Sequence, residues 1–288
     1  MLLNNQLSSL ISNIESILSK LGIMYRIFYR QKTFSSISNK IKNNPQKYGE
    51  SKKIQDIVGV RIALYFIDDI KIVHEALDNN FKLISKDSQI DKPDKEVFKA
   101  IRYNLVYKLP DDVDISYMVD EDYLPYIDNT FELQIRTVLS EGWHEVEHDL
   151  RYKCADDWYG LDQEYRALNG IYATLETSDW TLLKLFDELS YTHYKNNNLK
   201  AMLNNKLRLR IISTSKDDQI LEYVQDNNEL LKYFYKFDRN MLFKHLSTRR
   251  KIPLTFSNLI YIINLAGLNN QELLDRTPAL IKSWWETT

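Results

Sequence analysis

The run FELQIRT, residues 131–137, constrains this chain more than any other segment. Its alternation puts Phe131, Leu133 and Ile135 on one face of a strand and Glu132, Gln134 and Arg136 on the other. The apolar face belongs in a core, so the strand is read as central in its sheet. Three polar side chains then share a face where burial without partners is costly, and a ligand-lined cleft supplies those partners. A second run, DIVGVR at 56–61, again sets a carboxylate beside an arginine on an apolar strand. A salt bridge is the simpler reading of Asp56 and Arg61, and a site for a polyphosphate and its metal is the functional one.

The surrounding pattern gives the fold class. Apolar residues at Leu3, Leu7, Leu10, Ile11, Ile14, Ile17, Leu18 and Leu21 follow helical spacing, with Gly22 suited to the C-terminal cap. A short helix is predicted over 35–42, a loop over 45–53 and a buried strand over 58–67. A helix from Asp68 or Asp69 follows, with Ile70, Val73, Ala76 and Leu77 on one face, and further strands are predicted over 81–85, 101–109 and 130–136. This order predicts an α+β fold, a mixed β-sheet flanked by helices. Beyond Tyr152 the pattern turns helical, over 163–176, 181–194, 200–212 and 219–237, and the expected domains are 1–160 and a mainly helical C-terminal region, 161–288.

The net charge of −2 hides local segregation. Residues 20–53 hold nine Lys/Arg against one acid, and 111–132 hold eight acids and no base. Solvated faces account for such runs, but each adjoins a carboxylate-bearing strand. Cys154 is the sole cysteine, which excludes an internal disulfide and a thiolate zinc cluster. With neither a signal-peptide pattern nor an apolar run long enough for a bilayer, no membrane association is expected and residence should be cytoplasmic.

Four runs in order, YRQKTFSSISNKI at 29–41, DIVGVR, FELQIRT, and Trp143 followed by EHDLRYK, resemble the synthetase domain of the RelA/SpoT family, the pyrophosphokinases that make alarmone nucleotides. The resemblance covers roughly residues 25–155 and implies transfer of the β,γ-pyrophosphate of ATP to a ribose 3′-hydroxyl. It implies that Asp56 and Glu132 are the catalytic acidic pair and hold Mg²⁺, with Glu132 also accepting the hydroxyl proton. It further implies that Arg30 and Arg61 clamp adenine by stacking, that Lys32, Ser36 and Lys40 face phosphate, and that Gln134, Arg136, Glu147 and His148 serve the acceptor.

The chain departs from the family where a GYRSxH-like run, with a guanine-stacking tyrosine and a phosphate-contacting histidine, is usual. Residues 87–110 read DSQIDKPDKEVFKAIRYNLVYKLP, with no glycine, Asn104 near the histidine position, and Phe98 or Tyr103 as the nearby rings. Lys92, Lys95, Lys99 and Arg102 remain as phosphate holders. The acceptor expected is therefore a tRNA 3′ end or an adenine nucleotide ahead of free GDP or GTP. Small members that resemble this chain include growth-arresting toxins and phage-defence effectors.

Two other readings stand beside this one. A nucleotide-sensing module without catalysis would keep the ATP half of the site, although it has little need of two metal ligands. His144, Glu145 and His148 also spell the HExxH signature of zinc hydrolases, but no third ligand is recognisable, and an exposed or capped helical His144 is the plainer account. In the C-terminal region Lys206, Arg208, Arg210, Arg249, Arg250 and Lys251 are candidates for RNA phosphates or for solvated helix edges. Trp284 and Trp285 are read as docking the tail or forming a partner surface, and a protein regulator is expected to act through this region.

Overall fold

The computed structural model describes the 288-residue chain except residues 1, 45, 46, 50, 51, 93, 95, 97, 99, 100, 118, 216 and 288, and describes backbone alone at 2–6 and 117. Two compact units divide it: Met1–Glu15 with Tyr25–Asp179, and Ser16–Met24 with Trp180–Thr288. Helix α1 runs Leu2–Leu21, as its spacing predicts. It stops at Gly22, where φ is +71° and an added Cβ would lie 2.3 Å from Leu254 Cδ1, so both backbone and packing call for glycine.

The first unit is built on a mixed sheet of β1 (Tyr25–Gln31), β2 (Val58–Leu64), β3 (Gln89–Ile90), β4 (Tyr103–Lys108) and β5 (Thr130–Thr137), in the order β1-β2-β5-β4-β3. The strand FELQIRT is central, as its alternation requires. β2 and β5 run parallel and the remaining pairs antiparallel. Strand β1 escapes sequence reading because, as an edge with both arginines outward, it is mostly exposed. The strand expected at 81–85 is reduced to one bridge, Leu83 to Tyr107, and then a 3₁₀ turn at Ser85–Asp87. Asp56 precedes β2 rather than lying on it.

One sheet face is the core. Val58, Val60 and Ile62 of β2, Leu105 and Tyr107 of β4, and Phe131, Leu133 and Ile135 of β5 are all buried there. Helix α3 (Asp69–Asp78) covers it with Val73, Ala76 and Leu77, and Asp78 Oδ1 accepts the Tyr107 hydroxyl at 2.7 Å. Phe131 stacks on Tyr107 at 5.5 Å and meets Phe81 edge-on at 5.4 Å. A satellite cluster of Ile37, Tyr48, Ile54, Ile57, Val119 and Ile127 anchors α2 (Phe34–Lys42). The opposite, polar face carries α4 (Val138–Glu147).

Two helices expected after residue 160 are one: α5 runs unbroken from Asp162 to Lys195. Compactness divides the chain inside it, at Asp179/Trp180, not at the expected residue 160. The physical reason is that Leu168, Tyr172 and Asp179 bond to groups of the first unit.

The second unit continues with α6 (Leu199–Leu207), α7 (Asp218–Gln225), α8 (Asn228–Lys236), α9 (Arg239–Thr248), α10 (Phe256–Ile263), α11 (Gln271–Arg276) and α12 (Ala279–Glu286). The single helix expected over 219–237 is broken because Asn227 turns out to cap α8, accepting from the Glu229 and Leu230 amides. Arg208 is buried in a left-handed cap conformation, which removes it from the candidate RNA-binding set. The tail docks: Trp284 donates its indole N–H to the Arg250 carbonyl at 2.6 Å, and Arg249 lies over Trp285 at 4.5 Å. Among the described residues no helix is long and apolar enough to cross a membrane.

Truncating Phe131, which is fully buried between two rings, should leave a cavity. Phe131→Ala is expected to destabilise the first unit by about 3–5 kcal/mol, read as a fall in the urea midpoint of its unfolding transition, whereas Phe28→Ala at the exposed edge should shift it little.

Candidate active site

The parallel register of β2 and β5 aligns Gly59 with Glu132, Arg61 with Gln134 and Ala63 with Arg136. Antiparallel β1 adds Arg30 opposite Gly59 and Phe28 opposite Arg61. Because side chains alternate across a strand, these residues share one face, and all of them but Ala63 and Arg136 line a cleft of about 310 Å³. Phe28, Tyr29 and Arg30 form one wall, Gly59 to Arg61 with Glu132 and Gln134 the floor, and Glu141 and Glu145 of α4 the far side. Sequence reasoning identified Arg30, Arg61, Glu132 and Gln134 as site residues, and the fold brings all four together.

Helix α4 starts in a fixed place. Thr137, the last residue of β5, accepts the Ser140 amide, and Ser140 accepts the Thr137 amide in return. One turn apart on α4, Glu141 and Glu145 then reach down to the sheet. Glu141 Oε1 accepts from Arg61 Nη1 at 2.6 Å and Oε2 from Arg136 Nη1 at 3.2 Å. Glu145 is a further Arg61 partner. Gln134 joins the two arginines from below, its Oε1 accepting from Arg61 Nε at 3.3 Å and Arg136 Nη2 at 2.8 Å, while its Nε2 donates to Glu132 at 3.4 Å.

The first half of α5 braces α4. The Trp143 indole donates to the Leu168 carbonyl at 2.8 Å, and Tyr172 packs against Trp143 and His144. His144 is therefore buried and not exposed as expected, and burial, reinforced by the nearby Arg136 and Arg61 charges, lowers its pKa to about 3. His148 has different surroundings: it is only half-buried, bonds Asp149 and stacks on Tyr152. The HExxH spelling thus joins a core imidazole to a surface one.

Asp56 sits beside the cleft in a segment that continues the β2–β5 pairing through the parallel bridge of Ile54 to Ile127. Lys32 and Lys40 both bind its carboxylate, Lys40 at 3.0 and 3.1 Å. Burial alone would raise the Asp56 pKa, but the two ammonium groups outweigh it and hold the carboxyl below the usual range. Ser36, in the first turn of α2, shares a 2.9 Å hydrogen bond with the Thr33 hydroxyl.

Asp56 and Glu132 fit Mg²⁺ by donor chemistry, being carboxylates on neighbouring parallel segments. Among the described residues no three His, Cys, Asp or Glu side chains converge on a metal position.

The acceptor candidates are less gathered. Lys95 and Lys99 lie outside the described residues. Lys92 is exposed, and Arg102 is held by Asp91 at 2.9 Å. Tyr103 projects from the core face of β4, where its hydroxyl meets His74 Nδ1 at 2.7 Å, so it is no stacking ring for the cleft; Phe98 is exposed. Asn104, beside Gln134 in register, is on the cleft face. Arg136 is sequestered between Gln134 and Glu141, and Glu147 pairs with Arg151; neither they nor His148 line the cleft. The cleft residues that sequence reasoning missed are Phe28, Tyr29, Glu141 and Glu145 as a partner of Arg61. The i, i+4 glutamates one turn past FELQIRT were the available signal.

Residues 29–157 match a family described as a region found in RelA / SpoT proteins. The chain is 30% identical over 126 residues to GTP pyrophosphokinase YjbM of Bacillus subtilis strain 168, covering 43% of this chain and 54% of that protein. It is 31% identical over 133 residues to GTP pyrophosphokinase YwaC of the same strain, covering 44% and 58%. The chain thus spans little more than half the length of these curated relatives. Among solved structures, small alarmone synthetase 2 from Bacillus subtilis aligns with TM-score 0.48 and 23% identity over 65% of this chain and 95% of that one.

Asp179 links the brace to pH. It is buried, accepts the Thr137 hydroxyl at 2.8 Å through Oδ2, and its Oδ1 has no hydrogen-bond partner among the described residues. Burial, with help from Glu176 and against the Thr137 hydrogen bond, raises its pKa to about 6. An unfolded aspartate titrates near ~3.9, so the proton favours the folded state: that stabilisation is complete below about pH 4 and lost as pH rises through 6. Asp179→Asn should gain stability relative to the native chain over that interval, and melting temperatures of the two measured from pH 4 to 7.5 will test it; parallel curves would remove Asp179 from the account.

Proposed function

We propose, from the match of residues 29–157 to a region found in RelA / SpoT proteins, that the protein is an ATP-dependent pyrophosphokinase acting on a ribose 3′-hydroxyl in the cytoplasm. The observation that carries this reading is the convergence of Arg30, Arg61 and Glu132 on one cleft, with Asp56 beside it between Lys32 and Lys40. In the proposed reaction the 3′-oxygen bonds to the β-phosphorus, the α–β phosphoanhydride breaks, and AMP leaves.

Each group has a physical task. Arg30 and Arg61 are planar, permanently charged cations, suited to stacking on adenine where lysine is not. Lys32 and Lys40, with the Ser36 hydroxyl, offer charge-assisted hydrogen bonds to phosphate oxygens. Asp56 and Glu132 would hold Mg²⁺, which when bound neutralises charge on the phosphates. Glu132, on the rigid central strand, is the base placed to take the hydroxyl proton. Arg30, Arg61 and Glu132 are carried on paired strands, which favours the fixed alignment that in-line transfer needs.

The acceptor we propose is a tRNA 3′ end, with an adenine nucleotide second. Support comes from the missing GYRSxH-like run and from Tyr103 facing the opposite side of the sheet, which leave Phe98 alone of the two rings considered for guanine. Lys92, Lys95, Lys99 and Arg102 would then meet RNA phosphates. Such an activity would make the protein a growth-arresting toxin or phage-defence effector, with the C-terminal helices receiving a protein regulator.

Two experiments test this. Asp56→Asn and Glu132→Gln keep shape and lose charge, so pyrophosphate transfer should fall by about three orders of magnitude or more with circular dichroism unchanged, and omitting Mg²⁺ should stop the wild-type reaction while zinc-selective chelation does nothing. Retained transfer in either variant would refute the assignment, and ATP binding without turnover on any acceptor would favour the sensing module. Labelled ATP offered GDP, GTP, ADP, AMP and bulk tRNA at two salt concentrations should label tRNA best and fall steeply with salt; efficient, salt-insensitive labelling of GDP or GTP would return the protein to alarmone synthesis.

A further inference from the structure

Two guanidinium groups side by side repel each other, yet Arg61 and Arg136 share Gln134 Oε1 as acceptor, at 3.3 and 2.8 Å. What makes that arrangement tenable is Glu141, whose two oxygens are divided between them, Oε1 to Arg61 and Oε2 to Arg136. Its side chain is only 12% exposed, and the cap on Thr137 fixes its helix directly after the central strand. Glu145 also binds Arg61 but differs in setting: its side chain is 54% exposed, and it acts on Arg136 through charge at longer range.

We propose that Glu141 is a positioning residue that fixes the Arg61 guanidinium in the cleft, and that Glu145 is a temporary partner of Arg61 which an incoming nucleotide displaces. This rests on reading the cleft as the ATP site. A polyanion entering the cleft meets like charge at Glu145, so that carboxylate, the more solvated of the two, is the one that gives way. Glu141 stays, because releasing Arg61 would also leave Arg136 without its carboxylate in a half-buried place. The two glutamates, one turn apart on a single helix, thus act in opposite directions on the same arginine.

The test is calorimetric ATP binding to the full chain with Mg²⁺ and no acceptor. Glu141→Gln should weaken binding about tenfold, and in an Arg61→Met background the same substitution should cost nothing further, since the two act as one unit. Glu145→Gln should tighten binding about two- to fivefold by removing a competitor and a like charge. A merely structural Glu141 would show an equal loss with and without Arg61, and that result overturns the proposal. So would unchanged ATP affinity in Glu141→Gln, or a Glu145→Gln variant that binds no more tightly than the native chain. If the native chain itself bound no ATP, the proposed function would fail and this inference with it, whereas native binding with additive variants removes the inference alone.

Discussion

The parallel pairing of β2 with β5 is the constraint on which the site depends. Parallel strands cannot be joined by a tight hairpin, and here the connection takes up α3, β3 and β4 before β5 inserts beside β2. The result is that Arg61 and Glu132, far apart in sequence, lie on adjacent strands with a common polar face. A one-residue slip would turn Glu132, Gln134 and Arg136 into the core and expose Phe131, Leu133 and Ile135. The apolar side of the sheet therefore determines the chemistry of the polar side.

Charge on that polar face is balanced in two separate clusters. In one, Asp56 answers Lys32 and Lys40. In the other, Glu141 and Glu145 answer Arg61 and Arg136. Breaking such a partly buried cluster by removing one member leaves its partners uncompensated and costs more than the contact itself contributes. Exposed pairs such as Lys71–Glu75, by contrast, hold little that the fold needs.

Much of this was legible in the chain because alternation and spacing are local signals. FELQIRT displays its two faces openly, the Leu/Ile stripe of α1 its helix, and the order of strands and helices the fold class. The rest depended on tertiary context. Strand β1 lacks an apolar face strong enough to stand out beside Arg26 and Arg30. Tyr103 reads in the chain as a possible cleft ring because its side of β4 is decided by pairing with β5, which no local pattern states. Glu141 carries no local signal beyond its spacing from Glu145, and Glu145 shows in the chain only as part of the HExxH spelling, because the Arg61 beneath them comes from another strand. His144 looked like half of a metal motif, although the rings of Trp143 and Tyr172 had already enclosed it.

The unbroken α5 changes what counts as the smallest working piece of this protein. The family match ends at residue 157, and cutting there would seem natural. Such a cut would remove the Leu168 carbonyl from Trp143, the Tyr172 ring from His144 and the Asp179 carboxylate from Thr137. The cap and buried face of α4 would lose their support, and with them the glutamates that meet Arg61. The first unit thus borrows its rigidity from a helix beyond the family match, so an excised fragment without that helix would be a poor guide to the cleft in the full chain.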